Sequence, residues 1–310
     1  MVSLERVGAR LGLSEALLGL LAALAADAPE ITSAVTALLR HDQHVGAGVV
    51  IGSNVFNLAA LLGLSAVVAG EIALHRRVLE LSGAVALWIA AAAVLVVTGT
   101  CSPLAGLLVV LAVLVPYIAV LAIGDERLVR LRLPQAWTRW LIAAIGEEEL
   151  ELEVAIHPTR GGIRDALVSA AAVAVVVAAS VEMEHSATEL GVRWGVAAIL
   201  VGALVLAVVT SLPNAVAAVY LAMRGRGAAV LSTSLNSNAL NILAGLLIPT
   251  TILGVGAPSS QTTFIAASLV AMTVFALAGA YVGRGLRRSM GLAIVVAYLA
   301  FVGALIAVAQ

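Results

Sequence analysis

Two stretches of this chain place polar side chains beside a proline in the middle of long apolar runs. Residues 26–30 read Ala-Asp-Ala-Pro-Glu and residues 210–214 read Thr-Ser-Leu-Pro-Asn. Proline lacks an N–H and clashes with the carbonyl four residues back, so Pro29 and Pro213 each free a backbone carbonyl at a helix break. Carboxylate, amide, hydroxyl and carbonyl oxygens suit hard cations such as Na⁺, Ca²⁺ or Mn²⁺. The two stretches therefore predict a cation site.

A second pair of motifs follows the first. Residues 52–57 read Gly-Ser-Asn-Val-Phe-Asn and residues 236–241 read Asn-Ser-Asn-Ala-Leu-Asn. In each motif a serine and an asparagine four residues apart share one helix face. These pairs are Ser53 with Asn57 and Ser237 with Asn241. Asn54 and Asn238 fit hydrogen bonding between helices as well as they fit cation binding.

The motifs are copies of one another at a constant offset. Pro29 and Pro213 are 184 residues apart, and so are Ser53 and Ser237. The chain is therefore an internal duplication whose two polar clusters are the predicted working part. Glu30 is the strongest candidate, because an unpaired carboxylate in mid-membrane costs at least ~2.5–3.5 kcal/mol and usually faces a functional cavity. Asp27 is three residues away and shares its helix face.

The composition is that of a membrane protein with many spans. Hydrophobic residues make up 62% of the chain, charged residues 11%, and the mean hydropathy is +1.10. The net charge of −1 suggests no nucleic-acid partner, and the single Cys101 excludes an internal disulfide. The clusters contain no His or Cys, so we expect no zinc-type centre. No nucleophile, zinc-protease or phosphate-loop motif occurs in the sequence, so we expect neither an enzyme nor a cofactor.

Apolar runs near the length of a membrane-spanning helix predict an all-α fold with nine spans. They fall at about 13–39, 45–70, 79–98, 103–123, 166–181, 195–223, 228–254, 262–283 and 290–309. The clustered arginines lie in alternate connections, and cytoplasmic connections retain basic residues. This bias predicts a multi-pass inner (plasma) membrane protein with a cytoplasmic N-terminus and an outside C-terminus. Arg40 and Arg193 fall on the other side.

An odd number of crossings separates the two proline motifs, so the two repeats are predicted to be inverted. The first repeat covers residues 1–124 with four helices, and the second covers 166–310 with five. Residues 125–165 form a cytoplasmic linker with an amphipathic stretch at 133–145 and an acidic run at 147–153. A solvated linker with an interfacial helix is favoured over a regulatory cation site. The counterpart of the fifth span would precede Met1. Either the start lies further upstream or this protein lacks a first helix.

Two connections on the predicted outer side combine acids with histidines. Residues 41–44 read His-Asp-Gln-His and residues 182–185 read Glu-Met-Glu-His. An ordinary solvated loop is favoured over a surface metal site for both, because ligand spacing arises easily by chance in short loops.

At these motifs the chain resembles the sodium/calcium exchangers of the cation/calcium exchanger superfamily. Their paired repeats read Gly-Thr-Ser-Leu-Pro-Glu and Gly-Asn-x-x-Gly-Ser-Asn-x-x-Asn, which residues 52–57 and 210–213 match well. The resemblance covers nearly all the chain except the linker. It implies two inverted groups of five helices with broken motif helices at the centre, and cation exchange by alternating access.

The resemblance also implies roles for individual residues. Glu30 and Asn214 take the positions of the cation-binding acids, Asn57 and Asn241 the central amide or acid positions. Ser53, Ser211 and Ser237 correspond to hydroxyl ligands of sodium, and Ala26 and Thr210 to backbone-carbonyl ligands. The candidate metal-ion ligands are Glu30, Asp27, Asn57, Asn214 and Asn241.

Three departures distinguish the chain from the family pattern. Asn214 replaces an acid, Asp27 replaces a hydroxyl residue, and the first helix is missing. Asp27 and Glu30 keep the acid count at two but put both charges in one half.

We therefore expect a secondary antiporter that exchanges Ca²⁺ or another cation for Na⁺. A proton-coupled cation exchanger and a non-transporting homologue are the alternatives. The expected partners are inorganic cations and the lipid bilayer, with the oligomeric state left open.

Overall fold

A computed structural model describes residues 24–122, 134, 137, 139–144 and 163–309. The first half contains α1 (Ala28–Leu39), α2 (Gln43–Asn57), a π-helical segment π1 (Leu58–Leu64), α3 (Ser65–Ala69), β1 (Glu71–Ala73), α4 (Arg76–Val97) and α5 (Pro103–Ala122). The second half contains α6 (Ile163–Arg193), α7 (Ala198–Leu200), π2 (Val201–Leu206), α8 (Ala207–Met223), α9 (Gly227–Leu240), π3 (Asn241–Leu247), α10 (Ile248–Leu253), α11 (Ser260–Gly283), β2 (Gly285–Arg287) and α12 (Arg288–Ala309).

The duplication extends to the ends of the helices. The continuous helical run 43–69 has a counterpart at 227–253, displaced by 184 residues at both ends. α1 and α8 likewise end 184 residues apart, at Leu39 and Met223. Two copies of one supersecondary unit therefore build the protein.

Seven helices in the described residues are long and apolar enough to cross a membrane. They are 43–69, 76–97, 103–120, 170–193, 198–223, 260–283 and 288–309. α1 is a shorter apolar helix, and the run 227–253 contains the serines and asparagines of the second motif. The structure is an all-α polytopic membrane fold of two inverted repeats, and the helix count is compatible with the nine predicted spans.

Connections gather at two opposite ends of the helices. At one end β1 pairs with β2 in antiparallel register, with Ile72 opposite Leu286, and Gly227 packs against the Ala73 carbonyl. We call this end the arginine-rich face and define it by Arg76, Arg226 and Arg284.

At the opposite face, Gly99 packs against Pro258 and Gly256 against Gln43. α1 ends at this face, whereas α8 ends at the arginine-rich face. The two proline-containing helices therefore run in opposite directions, as predicted for inverted repeats.

The fifth predicted span and the loop after it differ from the structure. The span was expected at 166–181 with a solvated loop at 182–185, but α6 is one helix through Arg193. Glu184 is fully buried within this helix, where its Oε2 lies 3.4 Å from Arg40 Nη1 and its Oε1 accepts a 3.1 Å hydrogen bond from Thr188. The loop prediction was wrong because Arg40, directly after α1, and Thr188 of α6 satisfy an acid that looks solvated in the sequence.

Other sequence-based predictions fall partly outside the described residues. In the linker, residues 137 and 139–144 are helical, and Leu141 and Ile142 pack against the core. The acidic run at 147–153 and the chain before residue 24 lie outside the described residues.

Candidate functional site

The first proline motif breaks its helix at an acidic residue. Residues 24–26 are helical, Asp27 is a bend, and α1 begins at Ala28 with Pro29 in its first turn. Proline is well accommodated there, since the N–H that it lacks would be unpaired in a first turn. Asp27 and Glu30 are both fully buried. The break therefore places two carboxylates on consecutive turns inside the helical bundle.

The second proline motif lies in a helix that continues, so the predicted helix break at Pro213 is not seen. α8 runs from Ala207 to Met223 with Pro213 in its interior, directly after the π-helical segment π2. π-helical segments are uncommon and concentrate at functional sites. Two further segments, π1 and π3, start at Leu58 and Asn241, where each second motif ends. Sequence reasoning did not anticipate these segments, because hydrophobic periodicity does not distinguish a π turn from an α turn.

Side chains of the two proline motifs meet directly across the repeat boundary. Asn214 Nδ2 donates a 2.8 Å hydrogen bond to Asp27 Oδ1, and the Ser211 hydroxyl donates a 2.9 Å bond to Glu30 Oε1. Positions 27 and 211 are repeat counterparts, and so are 30 and 214. The two bonds therefore join equivalent positions and are related by the symmetry of the repeats. Each joins one carboxylate with one neutral donor.

The two carboxylates also share partners. Asn214 Nδ2 lies 3.5 Å from Glu30 Oε1 as well, so one amide nitrogen connects both acids. The Ser237 hydroxyl of α9 donates a hydrogen bond to Asp27 Oδ1. Asn57 Nδ2 donates to the Ser237 oxygen at 3.4 Å. A connected cluster thus extends from α1 through α8 and α9 to α2.

The asparagines at the ends of α2 and α9 cross-link the two repeats. Asn57 Nδ2 donates to Asn238 Oδ1 at 3.1 Å, and Asn241 Nδ2 donates to Asn54 Oδ1 at 3.3 Å. These bonds are again repeat counterparts. Asn54 and Asn238, whose role the sequence left open, here orient the amides of Asn57 and Asn241.

Four buried oxygens of this cluster have no hydrogen-bond partner. They are Asp27 Oδ2, Glu30 Oε2, Asn57 Oδ1 and Asn241 Oδ1. A buried polar atom without a partner costs about 1–3 kcal/mol. Two carboxylate and two amide oxygens form a donor set suited to a hard cation.

No positive side chain neutralises the two acids within the part of the chain that the structure describes. The ion pairs found there join Arg40 with Glu184, Arg76 with Glu80 and Arg193 with Glu189. No group of three or more His, Cys, Asp or Glu side chains suited to a metal occurs in the described ranges. Two buried carboxylates without a basic partner require cations or protons for charge balance.

The remaining predicted site residues are close to the cluster in sequence but differ in their contacts. The Ser53 hydroxyl donates to Val49 O of its own helix at 2.6 Å, unlike its counterpart Ser237. Thr210 donates in the same way to Leu206 O at 2.8 Å, which leaves its backbone carbonyl as its predicted contribution. Ala26 is half-buried and immediately precedes the bend at Asp27.

The sequence profile of the family described as sodium/calcium exchanger protein matches residues 1–124 and 165–307. No curated protein sequence matches the chain.

Several solved structures are similar to this fold. The sodium-calcium exchanger NCX_Mj, soaked with 2.5 mM Na⁺ and 10 mM Sr²⁺, is 21% identical, with a TM-score of 0.61 over 97% of this chain and 91% of that one. Native YfkE is 15% identical, with a TM-score of 0.66 over 99% of this chain and 88% of that one. The H⁺/Ca²⁺ exchanger CAX is 17% identical, with a TM-score of 0.65 over 99% of this chain and 82% of that one.

Proposed function

Since the chain belongs to the sodium/calcium exchanger family, we propose that it is a secondary antiporter that exchanges Ca²⁺ or a related cation for Na⁺ by alternating access. Members of this family are membrane transporters of inorganic cations. The identity of the two exchanged ions and of the residues that bind them is argued from the geometry of this chain.

The observation that carries the proposal is the set of four buried oxygens without partners. Asp27 Oδ2 and Glu30 Oε2 supply two negative charges, and Asn57 Oδ1 and Asn241 Oδ1 supply two neutral dipoles. A divalent cation needs close to two negative ligands to offset its dehydration. The charge of the set therefore equals the charge of one Ca²⁺ or of two monovalent ions.

Other predicted ligands complete the coordination in this proposal. Ser53, Ser211 and Ser237 contribute hydroxyl oxygens, and Ala26 and Thr210 contribute backbone carbonyls. Asn214 donates to both acids in the structure. For it to bind a cation, its amide must rotate to present its oxygen, and the same rotation would release the two carboxylates to the ion.

The inverted symmetry supports alternating access. Both repeats contribute polar side chains from equivalent positions to the centre, so rocking one repeat against the other would expose one site to either face in turn. The paired bonds Asn214 to Asp27 and Ser211 to Glu30 lie on this boundary. Their exchange for ion contacts would couple binding to the conformational change.

Proton coupling is the second candidate, and a specific observation favours it. Two fully buried carboxylates share one amide nitrogen without a basic partner in the described residues, so protons on both Asp27 and Glu30 would also balance their charge. CAX is an H⁺/Ca²⁺ exchanger of similar fold.

The test is ion uptake by purified protein in sealed vesicles. Ca²⁺ uptake is measured with an outward Na⁺ gradient, with an outward H⁺ gradient and with neither, and Sr²⁺ and Mn²⁺ are compared as substrates. Uptake driven by Na⁺ alone is the expected result. Uptake driven only by H⁺ would replace the first candidate with the second. Uptake of no cation under any gradient would contradict the proposal and favour a non-transporting homologue.

We further propose that residues 1–124 and 166–310 act as the two repeats, joined by a cytoplasmic linker at 125–165. The positions of Arg76, Arg226 and Arg284 at one face support a cytoplasmic assignment of that face, because cytoplasmic connections retain basic residues. Arg40 and Arg193 on the opposite face each pair with a glutamate. Reporter fusions in the linker and after Gln310 should report opposite sides, and the same side for both would contradict this topology.

A further inference from the structure

Two buried serines outside the cluster have hydroxyls without any partner, Ser65 and Ser234. Both side chains are fully buried. A buried helical hydroxyl can usually bond to the carbonyl four residues back, as Ser53 does to Val49 O and Thr250 to Leu246 O. The other buried serines and threonines in the described ranges have partners. Ser65 and Ser234 are therefore exceptions that need a physical reason.

Ser234 lies one helical turn from the cluster. It precedes Ser237 by three residues and Asn241 by seven, so all three share one face of the helix. α9 begins at the arginine-rich face, where Gly227 packs against Ala73. With a rise of about 1.5 Å per residue, Ser234 lies roughly 10 Å inside that face. It is therefore located between the arginine-rich face and the cluster.

Ser65 lies on the same side of the cluster. The continuous helical run 43–69 carries Asn57 at its middle and reaches the arginine-rich face through Gly70 and β1. Ser65 is eight residues beyond Asn57 in that direction, on the segment α3 that packs against α8. The two hydroxyls thus belong to the two helices that also carry Asn57 and Asn241.

The repeat counterparts of these serines are apolar. Ser234 corresponds to Val50 and Ser65 to Pro249, each 184 residues away, and both counterparts are buried. Val50 packs against Gly245. The inverted symmetry places these counterparts between the cluster and the opposite face. Only the arginine-rich side therefore carries free hydroxyls at these positions.

We propose that Ser234 and Ser65 are polar contacts for the cation in the passage between the cluster and the arginine-rich face, so that the two halves of the ion pathway are chemically unequal. The inference rests on the proposed function. A hydroxyl oxygen replaces part of the hydration shell that an ion loses on entering the bundle, and the side chains of Val50 and Pro249 carry no such oxygen. The free-energy barrier to ion entry is consequently lower from the arginine-rich side than from the opposite side.

The first test measures accessibility and does not require transport. Cys101 is the only cysteine in the chain, so Cys101→Ser gives a cysteine-free background. Ser234→Cys, Ser65→Cys and Val50→Cys are introduced singly into it. The exposed Ser289 and Thr100, also changed to Cys, mark the arginine-rich and opposite faces. Sealed vesicles are treated on each side with a small, positively charged, membrane-impermeant methanethiosulfonate.

The expected result is modification of Ser234→Cys and Ser65→Cys from the side that labels Ser289→Cys, slowed by saturating Ca²⁺ or Na⁺. Val50→Cys should resist the reagent from that side. Ser234→Cys that reacts from neither side, or only from the side that labels Thr100→Cys, would overturn the proposal.

The second test compares transport kinetics on the two sides. Ser234→Val copies the counterpart Val50, and Ser234→Thr keeps the hydroxyl. Ser234→Val should raise the half-saturating cation concentration at the arginine-rich face roughly five-fold, as expected for one lost polar contact of about 1 kcal/mol. The half-saturating concentration at the opposite face should change little. Ser234→Thr should give the wild-type value at both faces. Equal changes at both faces would contradict the proposal, whereas a wild-type protein that moves no cation would instead refute the proposed function.

Discussion

Asn54 and Asn238 exchange hydrogen bonds with each other's backbone. Asn54 Nδ2 donates to Asn238 O at 2.9 Å, and Asn238 Nδ2 donates to Asn54 O at 3.1 Å. The two residues are 184 positions apart, so this reciprocal pair lies on the relation between the repeats. It fixes α2 against α9 immediately beside Asn57 and Asn241.

We predict that Asn54→Ala and Asn238→Ala each lower the free energy of unfolding by about 1–3 kcal/mol, because each removes a donor to the partner's carbonyl and an acceptor for the buried amide of Asn241 or Asn57. The double variant should cost about the sum, since each substitution removes its own hydrogen bond and leaves the partner's bond to a backbone carbonyl in place. Thermal unfolding in detergent measures this. Thr250→Val is the matched control, because its hydroxyl bonds only within its own helix. A double variant no less stable than either single variant would contradict two separate bonds between these residues.

Gly52 permits a close approach between the repeats. A Cβ at this position would lie 2.5 Å from Ala203 Cα, so Gly52→Ala must push α2 away from π2. We expect a loss of about 1–3 kcal/mol in unfolding free energy. Gly303→Ala is the control, because a Cβ there has nothing within 4 Å and the exchange favours the helix. Equal thermal stability of the two variants would argue against the close contact.

Arg40 should matter more for stability than Arg193. Arg40 Nη1 lies 3.4 Å from the fully buried carboxylate of Glu184 and 2.7 Å from His185 Nδ1, which must accept. Arg40→Gln leaves a buried charge without its partner, a costly change even though Arg40 is itself 45% exposed. Arg193→Gln breaks an exposed pair with Glu189, worth about 0–1 kcal/mol. Similar melting temperatures for both variants would show that Glu184 does not depend on Arg40.

Glu30→Gln should abolish cation transport and leave insertion and folding intact. The substitution keeps the shape and an acceptor for Ser211 but removes one of two buried charges. The free energy of unfolding, measured without divalent cations, should be unchanged or higher than in the wild type. No charge remains to be desolvated at this position. Glu189→Gln, at an exposed ion pair, is the control for loss of one acid. Retained uptake in Glu30→Gln would move the site elsewhere.

The sequence predicted the duplication from the constant offset of the motifs and the inverted repeats from the odd number of crossings between them. It predicted the residues of the cluster because spacing along one helix determines which side chains share a face. It did not predict which side chains meet across the repeats. Ser53 and Ser237 are equivalent in sequence, but one bonds to its own helix and the other to Asp27. The length of α6 was also missed, because hydropathy cannot recognise that Glu184 is paired with an arginine 144 residues away.

We propose that Asp27 supplies the negative charge that the family pattern places at position 214, where this chain has an asparagine. The two side chains are in contact, with Asn214 Nδ2 2.8 Å from Asp27 Oδ1. A carboxylate at position 27 therefore lies close to the place that a carboxylate at position 214 would occupy. Either one could contact the same ion.

The most direct measurement is the Ca²⁺-dependent thermal stabilisation of four proteins: wild type, Asp27→Ser, Asn214→Glu and the double variant. A ligand at 100 times its Kd stabilises the folded state by about 2.7 kcal/mol. Asp27→Ser should lose most of this stabilisation, because one carboxylate remains, and adding Asn214→Glu should recover part of it. No recovery in the double variant would contradict the account, because positions 27 and 214 would then not serve the same ion.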